Sequence, residues 1–162
     1  MRYLLTLWLS VSIVSPAAAQ RPTAARRAPI LVFSSLYTGS ALSGAYLAIR
    51  DSLPQAPFGI QTGRSPRADF FTGTGTALSP GLPLLLLQAG AVGLTAGQPR
   101  VARASIDALA VGGGLFAIGQ LAEPVGRETL AHPSAMVSRT LVVVGNIVLP
   151  ALMSVAAVRA LR

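Results

Sequence analysis

Apolar residues run through this chain in long stretches, and the charges fall between them. Residues 3–20, 28–49, 70–99 and 140–158 contain no Asp, Glu, Lys or Arg, and residues 101–122 hold only Arg103 and Asp107. A helix needs about twenty mostly apolar residues to cross a bilayer. Inside hydrocarbon every backbone donor and acceptor must be satisfied within the chain, so a crossing segment is a helix or part of a closed barrel. The short alternating segments of a barrel are missing here. The pattern therefore predicts an all-α fold: a membrane-embedded four-helix bundle after an N-terminal signal-like hydrophobic segment. The four spans are expected at residues 29–49, 79–97, 101–122 and 139–158.

The stretch 70–99 is broken early, by Gly73, Gly75, Pro80, Gly81 and Pro83. Residues 70–78 read as an interfacial or re-entrant approach, with Ser79 as a helix cap and Pro80 in the first helical turn. A kinked helix starting nearer Phe70 is the alternative. Small residues recur at the spacing that lets helix backbones approach closely: Ser40 and Gly44, then Gly93 and Gly97, then Ala110 and Gly114 with Gly112, Gly113 and Gly119 beside them. Pro150 falls inside the last span, where its ring removes a backbone donor and crowds the carbonyl of Asn146.

Residues 1–19 have the layout of a secretory signal peptide: Arg2, an apolar core from Tyr3 to Val14, and an alanine cluster at Ala17 and Ala19 after Pro16. The alternative is a retained fifth transmembrane helix. Residues 20–28 form a basic spacer with Arg21, Arg26 and Arg27, and residues 159–162 a basic tail.

Composition removes several function classes. Of the 162 residues, 52% are hydrophobic and 11% charged, whereas an ordinary soluble domain carries about a quarter charged residues. A water-facing shell cannot be built from so few charges. All thirteen basic residues are Arg, so lysine chemistry such as Schiff bases or phosphate-loop contacts is excluded. There is no Cys, and His132 is the single His, so no metal site and no cofactor is expected. The net charge of +8 would point to nucleic acid in a soluble protein, but these arginines lie between apolar runs and read as topology signals instead.

Those signals conflict. Arg21, Arg26, Arg27, Arg100, Arg103, Arg159 and Arg162 fall at one end of the expected bundle, against Arg50, Arg64, Arg67, Arg127 and Arg139 at the other. The positive-inside rule places the first end in the cytoplasm. A cleaved leader would deliver the same end outside.

Candidate chemistry is sparse. Glu123 and Arg127, and Glu128 and His132, are four residues apart, so on a helix each pair shares a face. Glu128 and His132 would make an acid–base couple at the membrane surface; interfacial ion pairing is the plainer expectation. Counting from the expected helix ends puts Gln88 and Asn146 at a similar depth, about 10–14 Å below one surface, with Ser43 close to that level and Gln120 shallower. These four amide and hydroxyl groups are candidates for a ligand-binding layer, or for plain interhelical hydrogen bonds. Asp107, an acid inside a span, is expected to pair with Arg103 one turn away. The run Thr72-Gly73-Thr74-Gly75-Thr76 lacks the lysine and strand–helix setting of a phosphate loop.

In size and layout the chain resembles the many small four-helix bacterial inner-membrane proteins of unknown role. The expectation is a non-enzymatic bundle in the bacterial cytoplasmic membrane that binds a partner or small ligand. Its expected partners are the lipid bilayer and, through the Gly/Ala/Ser helix faces, another membrane protein or a second copy. A membrane-interface enzyme using the Glu123–His132 stretch and an oligomeric ion-coupled carrier are the alternatives.

Overall fold

A computed structural model describes residues 22–60, 65–133 and 137–162. The leader-like segment 1–19 lies outside the described residues. Among the described residues three helices are long and apolar enough to cross a membrane: α1 (Ala24–Arg50), α4 (Pro99–Ala122) and α6 (Val137–Ala160). Between them lie α2 (Pro66–Thr72), α3 (Leu82–Leu94), α5 (Pro124–Ala131) and a two-stranded hairpin, β1 (Gly75–Thr76) and β2 (Ser79–Pro80).

Local chemistry sets the helix boundaries. Thr23 caps α1, its side chain accepting the Arg26 N–H, and Ser65 caps α2 by accepting from Ala68. Proline at the start of α2, α4 and α5 gives up an N–H that the first turn does not use.

The three long helices pack through small residues. On α4, Gly113 lies directly beneath the Pro150 carbonyl of α6, and the Ser154 hydroxyl donates to the Ala110 carbonyl. On α1, the Ser40 hydroxyl donates to the Val142 carbonyl at 3.4 Å, and Gly145 of α6 leaves room for it. One apolar cluster, with Ile30, Ile106, Leu109, Met153 and Ala157, brings the start of α1, the start of α4 and the end of α6 together. Another, with Leu47, Ala48, Leu78, Val142 and Val143, fills the opposite end. The outward faces remain apolar: Leu36, Tyr46, Leu115, Ile118 and Leu141 are all exposed. A surface of this kind is stable against lipid and not against water.

The second of the four expected spans, residues 79–97, is not formed as a membrane-crossing helix. Residues 79–97 instead contribute β2 and then α3, which has 13 residues. At 1.5 Å per residue α3 is about 20 Å long, short of the ~30 Å hydrocarbon core. Ser79 is not a helix cap: it pairs with Thr76 across the hairpin, and Gly81 is the N-cap with Pro83 in the first turn. The reason lies in the backbone. Pro80 and Pro83 both lack an N–H, and Gly75 sits at φ 139, a region open to Gly alone. A continuous helical ladder through residues 73–83 is thereby ruled out, and a tight hairpin takes its place. The chain still passes from one end of the bundle to the other here, but by a hairpin and a half-length helix.

Candidate functional site

The hairpin goes inward. Its two tip residues, Ala77 and Leu78, are 0% exposed. Gly44 of α1 lies against the Leu78 carbonyl so closely that a Cβ there would collide with it. Asn146 of α6 donates its Nδ2 to that carbonyl at 2.6 Å, and Gln120 of α4 donates its Nε2 to the Ala77 carbonyl at 3.2 Å. Within the hairpin, the Leu78 N–H donates to the Thr76 hydroxyl at 3.3 Å. Asn146 is nine residues past the start of α6 and Gly44 six residues before the end of α1, so the tip lies about 9–14 Å inside the helix ends. Non-helical backbone at that depth survives only where protein surrounds it and supplies the missing hydrogen bonds. Two amide side chains from two spans do so here. The orientation of Asn146 follows from this contact, because only its NH2 can face a carbonyl.

Gln88 belongs to a different level. It is buried on α3, with its Nε2 2.7 Å from the Ser34 hydroxyl of α1 and 3.8 Å from the Met153 sulfur. Met153 is seven residues beyond Asn146, about 10 Å along α6. The single layer expected from depth counting is therefore two. Depth counting starts this helix at a membrane surface, whereas the hairpin starts it inside the bundle. Ser43 joins neither level: it is exposed and donates to the Gly39 carbonyl of its own helix. Ser34 and Ser40 are the α1 hydroxyls that reach other helices. Two buried acceptors, Gln88 Oε1 and Asn146 Oδ1, have no donor among the described residues.

The Glu123–His132 stretch folds as α5 but does not assemble an acid–base couple. Glu123 is 4% exposed, and its carboxylate accepts the Ala56 N–H at 3.0 Å, pinning the loop after α1. Burial pushes its pKa above the usual carboxylate value, against the smaller opposing effect of the Ala56 N–H. Arg127, Glu128 and His132 are exposed. The His132 ring meets the Glu128 backbone carbonyl, at 3.4 Å, rather than its carboxylate. Among the described residues no ion pair joins Glu123 to Arg127 or Glu128 to His132. The expected pairs fail because Glu123 turns inward to the loop while the others turn to the surface. Gly126 has a packing role instead, lying against the Gln120 backbone.

Sequence spacing missed Asp51, the acid that does form ion pairs. Arg50 holds it at 2.7 Å and Arg139 at 2.6 Å, tying the end of α1 to the start of α6. The hydrogen bonds from Arg50 and then Arg139 hold its carboxyl down at about 2. Asp107 lies on the exposed face of α4 and makes no ion pair with Arg103 among the described residues. No group of three or more His, Cys, Asp or Glu suited to a metal occurs among the described residues.

The arrangement is a scaffold of long apolar helices around an inserted hairpin, with Asn146 and Gln120 engaged in holding that hairpin. No family model matches the chain, and no curated protein or solved structure is detectably similar to it.

Proposed function

We propose that this chain is a non-enzymatic integral membrane module of the bacterial cytoplasmic membrane that works by binding another membrane protein or a second copy of itself. The observation that carries the reading is the outer face of α3. Only Leu85 and Gln88 of its 13 residues are buried. Gly90 and Gly93 face open space, where an added Cβ would meet nothing within 4 Å. Glycine lowers helix propensity by about 1 kcal/mol relative to Ala, and neither glycine serves packing inside this chain. A close-packed helix from outside gives both a purpose. The burial of Glu123 away from the exposed Arg127, Glu128 and His132, and the contact of the His132 ring with the Glu128 backbone carbonyl in place of its carboxylate, support binding over catalysis.

The test is association in bilayers. Differently labelled copies are reconstituted together and their energy transfer is measured. A second copy as partner predicts transfer that Gly90→Leu with Gly93→Leu abolishes and Glu128→Gln with His132→Ala leaves intact. With a different protein as partner, the glycine variants abolish its co-purification from the native membrane. Association by both routes unchanged in the glycine variants overturns the reading.

A second reading, a small hydrogen-bond donor held in the core, is favoured by the partnerless Gln88 Oε1 and Asn146 Oδ1. Binding that is lost in Gln88→Leu with the fold retained would support it.

A further inference from the structure

We propose that the groove between the start of α1 and the end of α6 binds one anionic phospholipid. The groove has a volume of about 230 Å³, with Arg26 and Arg159 on its rim and Pro29, Phe33, Leu152 and Val155 along its walls. Each helix contributes one arginine and then apolar residues deeper in. Arg26 to Phe33, and Arg159 back to Leu152, are each seven residues, about 10 Å of helix. The cleft is thus cationic at the helix ends and apolar toward the bilayer interior. That is the polarity of a phospholipid, with a phosphate at its head and a hydrocarbon chain below.

Leu152 is 39% and Val155 47% exposed, so the walls open to the lipid side of the bundle. Both arginines are exposed, and neither forms an ion pair among the described residues. The opposite end differs, since Arg50 and Arg139 there share Asp51 as an ion-pair partner. Guanidinium groups suit phosphate because their planar N–H forks match its oxygens. A net-negative headgroup is preferred to a zwitterionic one because the rim offers two cations and no acid. Basic clefts between membrane helices commonly hold anionic headgroups in this way. A free anion would have no use for the apolar walls, and a soluble partner would not meet them.

The test uses the full chain in detergent, with lipid binding followed by native mass spectrometry. Phosphatidylglycerol is expected to bind as a single retained molecule in preference to phosphatidylcholine. Arg26→Gln with Arg159→Gln should weaken that binding by about tenfold or more. Arg100→Gln with Arg103→Gln, at the same end but outside the groove, should weaken it by about threefold at most. Leu152→Trp, which fills the groove and keeps every charge, should also weaken it. Equal loss from the two arginine pairs would mean a diffuse surface potential and overturn the proposal. So would no preference for phosphatidylglycerol, full binding in Leu152→Trp, or complete displacement by inorganic phosphate. Thermal melts of each variant confirm that the exposed substitutions leave the fold intact.

Discussion

Two stretches of this chain are alike in apolar character and unlike in structure. Residues 140–158 are uncharged and lie within one helix, α6, despite Pro150. Residues 70–99 are uncharged for longer, yet they yield the end of α2, a hairpin, and a helix of 13 residues. Hydrocarbon tolerates a backbone only where its hydrogen bonds close. In α6 one proline interrupts the ladder once. In the other stretch, Gly73, Gly75, Pro80, Gly81 and Pro83 interrupt it repeatedly within a few turns. That backbone stays inside the bundle because Asn146 and Gln120 supply donors that its own segment lacks. Apolar length says that a segment enters the membrane; the placement of Gly and Pro decides whether it enters as a helix.

The contrast breaks most sharply at Gly44. A side chain there meets the Leu78 carbonyl, so Gly44→Val should destabilise the fold by about 3 kcal/mol or more and displace the hairpin. Gly39→Val on the same helix, where a Cβ meets nothing within 4 Å, is the matched control, and its melting temperature in detergent should stay near that of the parent. Next comes Asn146→Leu. It leaves the buried Leu78 carbonyl without its donor and should cost about 1–3 kcal/mol in the same measurement. Gln120→Leu removes the longer bond to Ala77, and its loss should be about 1 kcal/mol, the smaller of the two.

The smallest effects concern pH, at the loops that flank the hairpin. The Glu123 pKa is raised in the folded protein by burial, so the fold binds its proton more tightly than the unfolded chain does. Stability from this group is therefore present at low pH and is lost as pH rises from the ordinary carboxylate range through the raised value. Asp51 has the opposite sign. Its carboxyl is held at about 2 by Arg50 and Arg139, so its contribution is present above the ordinary carboxylate range and fades as pH falls toward that value. Glu123→Gln keeps an acceptor for the Ala56 N–H and should flatten the loss on the rising side of a melting-temperature profile. Asp51→Asn should flatten the acid side and leave the other unchanged.

Much of the scaffold was legible because length and polarity are local properties. Two of the three long apolar helices follow from the uncharged runs 28–49 and 140–158, and the third from residues 101–122, whose charges, Arg103 and Asp107, fall in its first turns. The irregularity of residues 70–78 follows from Gly73 and Gly75, which fit an interfacial or re-entrant course. That Ala77 and Leu78 lie at the centre could not be read, because it depends on Gly44, Gln120 and Asn146 meeting them from far along the chain. Ser79 looked like a helix cap because its pairing with Thr76 is invisible in a linear pattern. Gln88, Gln120 and Asn146 stood out as amides in apolar runs, and all three are buried. Depth alone points to Ser43. Depth does not fix azimuth, and Ser40 and Gly44, four residues apart, share the inward face that Ser43 does not. At α5 the spacing of Glu123 and Arg127 was correct for a helix face, but the Ala56 N–H claimed the carboxylate first.

The central claim is that the tip of the hairpin is enclosed by α1, α4 and α6. The chain has no native Cys, so a single substitution reports one position cleanly. Ala77→Cys in nanodiscs, where both membrane faces meet the reagent, is treated with a charged maleimide beside Phe58→Cys, whose parent side chain is 76% exposed. The account predicts rapid modification at residue 58, none at residue 77, and modification at 77 once Asn146→Leu or Gly44→Val is added. Labelling of Ala77→Cys as fast as Phe58→Cys in the otherwise unaltered chain would contradict it, because residue 77 would then lie on a surface loop before a conventional helix.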